Sequence, residues 1–558
     1  MIRKLILLTF LMKYSFTIQA SQPSFSFSQE VTEVEVYDFV DLIITGKAGQ
    51  VDNPFTDVNI MGYFTGPAGN KDSIEGFCDE QYGKIYKVRY MPSSTGKYSF
   101  RIAVKCQGKT KYFKGNLNVL ASGRTGPVRV DSEHPWHFIY EGTGEHYFWN
   151  STTTYWMMGW KDEEIIKDAI ERLSGYGINR IRVAMNGRQD DGSRWYEPLV
   201  KESELFTFKL TPWVAEQPDD LDDPGFDVTR FNLEHWQKLD RLVEYARQQN
   251  INVSLIFYVD GLDHGCDPFK KEKMGNEDEQ RYYRYAAARY SGFENIMWDV
   301  TNEYHLFRSE AWVDKMGTLL KSLDPARHII SVHGHSEFPF RTAAWVDVVL
   351  YQSWDECGGY EFIRSCRVKQ AKTGRILPQV NEEYGYEEHY PTWGCGASGT
   401  KVPDGRSAEN RIKLAWEMYM AGGYQTTGER ANEGTGAGND AGGGWINGRG
   451  NETMTMLNGY RIIMQTFQQT RYWEMEPHPE LVNYGNMCLS NPGKEYIIYS
   501  RLAYCRVMLP EGKYSVVMID PMTGEKWQLP ESDAKDGAWQ YPKTLQQDFV
   551  FLLTKKSN

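Results

Sequence analysis

Between residues 146 and 431 the chain alternates regularly between short apolar runs and segments with helical apolar spacing. Runs such as "NRIRVAMN" from Asn179 and "INVSLIFYVD" from Ile251 have the length of one buried strand. Segments such as "KDEEIIKDAIERLSGYG" from Lys161 are typical of amphipathic helices. Eight such strands, most of them followed by a helix, predict an α/β fold of the (β/α)8 TIM-barrel type. A doubly wound open sheet, the alternative, usually has fewer strands and a glycine-rich turn after the first, which this sequence lacks.

Shorter alternating runs flank this region on both sides. "KIYKVRYMP" and "GKYSFRIAVKC" precede it, and "KEYIIYSRL" and "KYSVVMIDP" follow it. Short strands separated by polar turns indicate antiparallel β-sandwiches. We therefore divide the mature chain into an N-terminal β-sandwich (21–125), a catalytic barrel (126–472) and a C-terminal β-sandwich (473–558).

The first twenty residues have the pattern of a signal peptide. A basic start is followed by the apolar run Leu5 to Met12 and by a small residue, Ala20, at a plausible cleavage site. The run is too short to span a bilayer, and no later segment reads as transmembrane. We therefore expect a periplasmic or secreted protein without a membrane span.

Eight cysteines and the net charge limit the possible partners. An exported protein can form disulfides, but the sequence leaves their connectivity open. Three candidate pairs are close in sequence or lie in one domain: Cys78 with Cys106, Cys357 with Cys366, and Cys488 with Cys505. No cysteine or histidine spacing fits zinc. A net charge of −12 disfavours nucleic acid as a partner.

Two predicted strands end on carboxylates. The fourth ends in Asn302-Glu303, and the seventh ends in a segment that contains Glu382 and Glu383. In a barrel these ends line one mouth, where catalytic residues lie. Glycoside hydrolysis needs one carboxyl to protonate the leaving oxygen and another to attack the sugar. We predict Glu303 as the acid/base and Glu383 as the nucleophile, about 5–5.5 Å apart as in retaining enzymes. We also expect ionised Glu383 to raise the pKa of Glu303.

Other strand ends supply candidates for substrate binding. They are Asn302, Arg182, His264, His335, Tyr351, Gln352, Trp354 and Glu429. Asn302 can donate a hydrogen bond to a sugar hydroxyl, and Trp354 can stack beneath a sugar ring. Glu429 is expected either to bind a hydroxyl or to pair with Arg430. Trp156 and Trp160 are either subsite platforms or core residues.

The residues at the two carboxylate-bearing strand ends also resemble a known family. Asn-Glu after strand four and "PQVNEEYGYE" at strand seven resemble the clan A glycoside hydrolases, which are retaining TIM-barrel enzymes. With the tail "PGKEYIIYS", nearly the whole chain is similar to bacterial apiosidase-like proteins. Those proteins have an N-terminal β-sandwich and a C-terminal β-sandwich labelled as collagen-binding, and characterised members act on plant pectin. The resemblance implies carbohydrate hydrolysis.

The resemblance also implies roles for individual residues. The Glu-Tyr-Gly pattern maps onto Glu383, which leaves Glu382 as a structural or salt-bridged carboxylate, because neighbouring side chains on a strand point to opposite faces. A bulge at the strand end can re-aim either side chain, so Glu382 stays the alternative nucleophile. Arg182, with Arg180 as its rival, matches an arginine that keeps the nucleophile ionised. Tyr351 matches a tyrosine that often hydrogen-bonds the nucleophile.

A glycine-rich loop, "ANEGTGAGNDAGGGWINGRGN" from Ala431, follows the last strand. Its length suits a lid over the mouth, with Trp445 as its only large apolar residue. It lacks the spacing of a phosphate-binding loop. Asp440 and Asn439 do not form an EF-hand pattern, so we predict no metal site.

We therefore expect a secreted retaining glycosidase that cleaves a plant- or algal-type polysaccharide or its oligosaccharides and needs no cofactor. Long loops after strands two and eight favour a pocket for short oligosaccharides. The alternative is a non-catalytic carbohydrate-binding or adhesion protein on the same scaffold. A metal-dependent hydrolase that uses His264, His333 and His335 is a third hypothesis. The oligomeric state is unknown.

Overall fold

The computed structural model describes residues 24–186, 202–221, 223–259, 267–388, 406–430, 444–450, 455–501 and 504–556. Its central element is a sheet of eight strands in which every pairing is parallel. The strands are β1 (Ser151–Thr153), β2 (Arg180–Ala184), β3 (Asn252–Ile256), β4 (Ile296–Asp299), β5 (Ile330–Ser331), β6 (Val349–Gln352), β7 (Gln379–Glu383) and β8 (Tyr424–Thr427).

The eight strands form a nearly closed barrel. Their order in the sheet is β5-β4-β3-β2-β1-β8-β7-β6. A parallel bridge between His333 and Leu350 then links the segment after β5 to β6. Every residue of β2, β3, β7 and β8 is buried, as expected for strands that are covered on both faces. The predicted TIM barrel is confirmed.

Helices cover the outside of the barrel. They are α1 (Glu163–Gly175), α2 (Leu233–Gln248), α3 (Glu277–Tyr290), α4 (Glu310–Leu323), α5 (Gly359–Ala371), α6 (Ala408–Met420), α7 (Gly444–Asn447) and α8 (Thr455–Phe467). Helix α1 illustrates why they form. Asp162 caps its N-terminus by accepting a hydrogen bond from the backbone N–H of Glu164, and Ile166, Ile170 and Leu173 form its buried stripe.

The first barrel strand begins later than the sequence indicates. "HYFWNSTTTYW" reads as one strand, but His146–Tyr147 pairs antiparallel with Phe138–Tyr140 in a separate three-stranded sheet. Asn150 separates this sheet from β1, because its side chain donates to the carbonyl of Gly177 and its N–H donates to Asn179.

The N-terminal region consists of two packed sheets. One contains Phe25–Phe27, Val40–Gly46, Ile85–Tyr90 and Phe77–Cys78; the other contains Glu33–Glu35, Lys109–Leu120, Gly96–Cys106, Val58–Thr65 and Lys71–Glu75. All pairings are antiparallel except that of Glu33–Glu35 with Lys109–Leu120. Alternate side chains of these strands form a separate apolar core.

Buried ion pairs join this sandwich to the barrel. Arg89 of the sandwich is 4% exposed and contacts Asp41, Asp240 of α2 and the carbonyl of Arg289 in α3. Arg289 in turn pairs with Asp240 and Asp79. Because an unpaired buried charge is costly, these pairs favour one docked arrangement of the sandwich on α2 and α3.

The C-terminal region is a β-sandwich of two sheets of unequal size. Its six-stranded antiparallel sheet contains Glu476–Pro477, Met487–Asn491, Glu495–Ser500, Phe549–Lys555, Lys513–Ile519 and Lys526–Asp533. Within the residues described for this region, Arg506–Met508 and Ala538–Gln540 form a second, two-stranded sheet. The fold therefore matches the prediction of flanking β domains, whereas the exact domain boundaries stay predictions.

Most of the cysteines that the structure describes are free thiols. These are Cys78, Cys106, Cys366, Cys488 and Cys505, all of them buried. The candidate pairs Cys78–Cys106 and Cys488–Cys505 are therefore not bonded, and Cys357 is disulfide-bonded but not to Cys366. Among the described residues, no helix combines the length and the apolar character needed to cross a bilayer.

Candidate active site

Arg182 of β2 occupies the centre of a buried polar network inside the barrel. Its side chain is fully buried. Nη2 donates to Oδ1 of Asn302 at 2.7 Å, Nη1 donates to the hydroxyl of Tyr155 at 3.0 Å, and Nε lies 3.0 Å from Oε1 of Glu382. One guanidinium thus connects residues at the ends of β1, β4 and β7, as its planar set of donors allows.

Glu383, at the end of β7, is 5% exposed and accepts hydrogen bonds from neighbouring side chains. The hydroxyl of Tyr155 donates to Oε2 at 2.9 Å, and Nε2 of Gln352 donates to Oε1 at 3.3 Å. Nη1 of Arg182 lies 3.9 Å from Oε2. The pKa of Glu383 is raised above its ordinary value, because burial raises it more than Arg182 and the hydrogen bonds from Tyr386, Tyr155 and Gln352 lower it.

Glu382 is held by two arginines. Oε1 lies 2.7 Å from Nη2 of Arg180 and 3.0 Å from Nε of Arg182, and the side chain is fully buried. Glu382 is therefore salt-bridged, and neither arginine is solvent-facing. The pairing register of β6 and β7 shifts between Tyr351 and Gln352. This irregularity explains how two adjacent carboxylates both reach Arg182, which a regular strand would not allow.

Glu303 follows β4 in a left-handed backbone conformation, with φ 43° and ψ 46°. Nδ2 of Asn302 donates to its Oε2 at 3.3 Å, and the side chain is half-buried. Non-glycine residues rarely adopt this conformation, and such strain concentrates at functional sites. The carbonyl of Glu303 accepts from the N–H of Leu306, which starts a short 3-10 turn.

Asn302 connects the network around Arg182 to Glu303. Besides accepting from Arg182, its Oδ1 lies 3.3 Å from the hydroxyl oxygen of Tyr155 and contacts Nδ1 of His333. Burial and then Arg182 lower the pKa of His333 well below its ordinary value, so the imidazole is neutral. Deeper in the barrel, burial raises the pKa of Asp299 to about 7.

Tyr155 lies between the two candidate catalytic carboxyls. Burial raises the pKa of its hydroxyl, and the charges of Glu383 and Glu303 add to this effect, while Arg182 opposes it. The hydroxyl therefore stays protonated and donates to Glu383. Both carboxyls act on the same group, so the ends of β4 and β7 converge on one site.

An aromatic group lies beside Glu383. The hydroxyl of Tyr386 donates to that of Tyr155 at 3.1 Å. The Tyr386 ring stacks on Trp445, with ring centres 4.2 Å apart and an interplanar angle of 5°. The ring centres of Tyr386 and Trp354 lie 6.0 Å apart in an edge-to-face arrangement. The guanidinium of Arg406 lies 4.6 Å above the ring of Trp354. Trp354 thus contacts the aromatic group beside Glu383, and its role in substrate binding stays a prediction.

Tyr155 and Tyr386 belong to the site although neither was predicted from the sequence. Tyr155 directly follows the polar run that ends β1, next to Trp156, and Tyr386 follows Glu383 by three residues. Both tyrosines lie just beyond the end of a barrel strand, and this position could have identified them as candidate site residues. Trp156 and Trp160 are buried core residues, and Nε1 of Trp160 donates to the carbonyl of Asn447.

Tyr351 does not join the site. Its hydroxyl donates to Oε1 of Gln379 at 2.7 Å, and its ring packs against Phe362 of α5 with Arg341 above it. The side chain therefore points outward from the barrel. Its neighbour Gln352 points inward, as alternation along β6 requires. The tyrosine that binds Glu383 comes from the end of β1 instead.

Glu429 is committed to an ion pair. Both its oxygens accept hydrogen bonds from Arg172 of α1, and the carboxylate is fully buried. The alternative partner, Arg430, pairs with Glu388 at 3.1 Å instead. Glu429 is therefore a structural residue beneath α7, and its carboxylate is not available to bind a sugar hydroxyl.

The histidines do not form a metal centre in the described part of the chain. His333 is buried beside Asn302, whereas His335 is exposed and packs edge-to-face on His305 at 4.7 Å. No three His, Cys, Asp or Glu side chains of the described residues converge as metal ligands. His264, Asn439 and Asp440 lie outside the described residues.

The fold and parts of the sequence match known proteins. The chain is similar over 94% of its length to the whole of a crystal structure assigned to the glycoside hydrolases from Bacteroides vulgatus, with 19% identity and a TM-score of 0.74. It is also similar, over 78% of its length, to 94% of a glycoside hydrolase family 5 structure from the same organism, with 14% identity and a TM-score of 0.56. At these identities the likeness shows the fold.

Family models assign two parts of the sequence. Residues 33–105 match a domain of unknown function, DUF5060. Residues 136–427 match the apiosidase-like catalytic domain. No curated protein matches the chain. Because the second match covers more than half of the sequence, the chain belongs to the apiosidase-like family, whose catalytic domain is a glycosidase barrel.

Proposed function

We propose that the protein is an exported retaining glycosidase that cleaves a plant- or algal-type polysaccharide or its oligosaccharides by double displacement. The observation that carries this proposal is the chain of polar contacts from Glu303 through Asn302 and Tyr155 to Glu383. It brings two carboxyls to one barrel mouth, and a pair of carboxyls is what glycoside hydrolysis requires.

In the first step, an oxygen of Glu383 attacks the anomeric carbon. The bond from that carbon to the glycosidic oxygen breaks, and its electron pair stays on the leaving oxygen, which takes a proton from Glu303. In the second step, Glu303 removes a proton from water, and the water oxygen displaces Glu383 from the anomeric carbon. The sugar leaves with its original configuration.

The surroundings of Glu383 fit the role of nucleophile. Burial removes water from the carboxylate, while Arg182 and the donors Tyr155 and Gln352 favour its ionised form and fix its orientation. As the bond to the sugar forms, negative charge leaves Glu383 and these donors hold the carboxyl in place. Glu382 is a poorer nucleophile because two arginines already hold one of its oxygens.

The neighbouring residues supply substrate contacts. Nδ2 of Asn302 lies beside Glu303 and can turn to a sugar hydroxyl next to the reacting carbon. Trp354 is half-buried and borders Tyr386, so it offers an aromatic surface to the apolar face of a sugar ring. His335 is exposed beside His305, which follows Glu303 by two residues, so it suits a rim position.

Trapping with fluorinated glycosides tests both the mechanism and the nucleophile. A panel of activated 2-fluoro glycosides of different sugars should inactivate the enzyme, and one of them should label Glu383. Peptide mass spectrometry should find the label on Glu383 and not on Glu382, and Glu383→Gln should stay unlabelled. Release of the inverted anomer, seen by NMR, would rule out double displacement.

The same panel separates catalysis from simple binding. A non-catalytic carbohydrate-binding protein would hydrolyse none of the glycosides, and Glu303→Gln would then behave like the native protein. Export is tested separately by the mass of the mature protein, which should lack residues 1–20. A mature chain that keeps these residues would contradict export by cleavage.

A further inference from the structure

The outward face of the five-stranded N-terminal sheet carries two exposed tyrosines. Tyr63 is 41% exposed and Tyr112 is 55% exposed. Burial alternates along Val58–Thr65 and Gly96–Cys106, so these strands turn every second side chain away from the sandwich core. Single exposed apolar side chains are normal, but these two rings share one partner and therefore form a group.

That partner is Arg101. It lies directly opposite Tyr63 in the strand pairing, and its guanidinium carbon is 4.9 Å from the ring centre of Tyr63 and 5.2 Å from that of Tyr112. Cation–π contacts at these distances hold both rings in place. Tyr112 is two strands away and two residues offset, so the two Cα atoms lie about 12 Å apart. A short run of linked sugars spans this separation, and a single ring does not.

The same face is basic. Three lysines point outward around Arg101, namely Lys97, Lys105 and Lys114. Within the part of the chain that the structure describes, none of these four cations forms a salt bridge. Of the acidic side chains on this face, Glu75 pairs with Arg284 of α3 and Glu35 lies 4.0 Å from Arg124. Glu33 accepts a hydrogen bond from Asn118 and keeps its charge, so the four cations still outnumber the unpaired carboxylates. A local surplus of positive charge on a chain of net charge −12 marks an anion-binding surface.

We propose that this basic face, defined by Tyr63, Tyr112, Arg101, Lys97, Lys105 and Lys114, binds a carboxylate-bearing polysaccharide. The tyrosine rings stack on the apolar faces of successive sugars, and the cations pair with their carboxylates. The inference goes beyond the proposed function, because it assigns a second carbohydrate site to the N-terminal sandwich that is separate from the barrel mouth. The flat face and the exposed rings suit a long polymer.

Affinity electrophoresis of the full-length protein tests the basic face. Glu383→Gln is used as the background to prevent cleavage, and the gels contain polygalacturonate or its fully methyl-esterified form. Polygalacturonate should retard the protein, and the uncharged ester should do so much less. Adding Tyr63→Ala and Tyr112→Ala together should raise the Kd roughly tenfold or more. Arg101→Gln with Lys114→Gln should weaken binding and reduce its salt dependence.

Tyr484→Ala is the matched control, because Tyr484 is 97% exposed but belongs to the C-terminal sandwich. It should leave the Kd unchanged. Equal retardation of the double tyrosine variant and this control, or equal retardation by the ester, would overturn the proposal. Tighter tyrosine-dependent binding of single-stranded nucleic acid would overturn it as well.

The two proposals can fail independently. Hydrolysis of a small soluble glycoside should be the same in the protein with Tyr63→Ala and Tyr112→Ala as in the native protein, since neither tyrosine is near the barrel network. Loss of that hydrolysis in the double variant would contradict a separate site. A native protein that binds polygalacturonate but hydrolyses no glycoside would contradict the proposed glycosidase function and leave the proposed polysaccharide site on the basic face supported.

Discussion

The hydroxyl of Tyr155 donates a 2.9 Å hydrogen bond to Oε2 of Glu383. Tyr155 follows β1 and Glu383 ends β7, and β8 lies between these strands in the sheet. The same hydroxyl accepts from Arg182 and lies 3.3 Å from Asn302. Tyr155 therefore links Arg182 to the carboxylate of Glu383. It accepts a hydrogen bond from the arginine and donates one to the carboxylate.

Tyr155→Phe should lower kcat/KM about 10- to 100-fold, the value of one hydrogen bond to a charged group. It should also shift the acid limb of the pH profile. Tyr155 is one of the groups that lower the pKa of Glu383, so its loss raises that pKa. The nucleophile then becomes protonated, and activity is lost, at a higher pH than in the native enzyme. The pH dependence of kcat/KM measures this shift.

Tyr351→Phe is the matched control for that substitution. Tyr351 donates an equally buried hydrogen bond, but to Gln379 on the outer side of the barrel. Its loss should cost about 1 kcal/mol of stability and leave the acid limb where it is. An identical pH shift in both variants would mean that the effect on Glu383 is a general consequence of destabilisation.

Glu382→Ala and Glu383→Ala should fail in different ways. Removing Glu382 leaves Arg180 and Arg182 without their shared anion and should cost about 3–5 kcal/mol of stability, measured by denaturant unfolding. Removing Glu383 should lower kcat on the order of 10⁴-fold or more with little loss of stability. Sodium azide should restore turnover only to Glu383→Ala, because azide then attacks the anomeric carbon. If azide instead restored turnover to Glu382→Ala, Glu382 would be the nucleophile and Glu383 the structural carboxylate.

The sequence was sufficient to predict the barrel and the two carboxylate-bearing strand ends. Apolar periodicity distinguishes strands from helices, and a polar Asn302-Glu303 after an apolar run is visible without coordinates. The sequence did not distinguish Tyr351 from Gln352. Alternation places the two side chains on opposite faces but does not say which of them faces inward, and that depends on how β6 pairs within the sheet.

The contacts that complete the site could not be predicted from sequence. Tyr155 and Glu383 are 228 residues apart, and Arg172 and Glu429 are 257 residues apart. Which pairs meet depends on how the barrel closes and on how α1 and α7 pack at its end. From the sequence, Glu429 at the end of β8 is a candidate for substrate binding. In the structure Arg172 donates hydrogen bonds to both of its oxygens, which gives it a structural role.

Glu429→Gln should destabilise the protein without removing catalytic chemistry. Arg172 loses its buried partner, and an uncompensated buried charge costs about 3–5 kcal/mol. The Tm should fall, while kcat on a small glycoside at a temperature where the variant is folded should stay within about threefold, because Glu429 touches neither catalytic carboxyl. Glu409→Gln, which breaks an exposed pair with Lys413 on α6, should cost less than about 1 kcal/mol. A loss of activity that exceeds the loss of folded protein would place Glu429 in substrate binding after all.

Glu387 should make the protein less stable as the pH rises. It is 7% exposed, and burial raises its pKa from 4.5 to about 7, with the N–H of Arg430 opposing and Glu429 adding to the shift. Between these two pH values the folded state holds a proton that the unfolded state has lost. Stability from this group is therefore complete below about pH 4.5 and declines as the pH rises towards and through 7.

Glu387→Gln should remove this dependence. The amide oxygen can still accept the 2.9 Å hydrogen bond from the N–H of Arg430, but the side chain cannot ionise. The variant should match the native Tm at pH 5 and exceed it at pH 8 by the equivalent of about 1–3 kcal/mol. Glu409→Gln, at an exposed carboxylate on α6, should follow the native protein's change between the two pH values. If Glu387→Gln lost as much stability as the native protein between pH 5 and pH 8, the titrating group would have to be another buried carboxyl, and Asp299 is the next candidate because its pKa is also about 7.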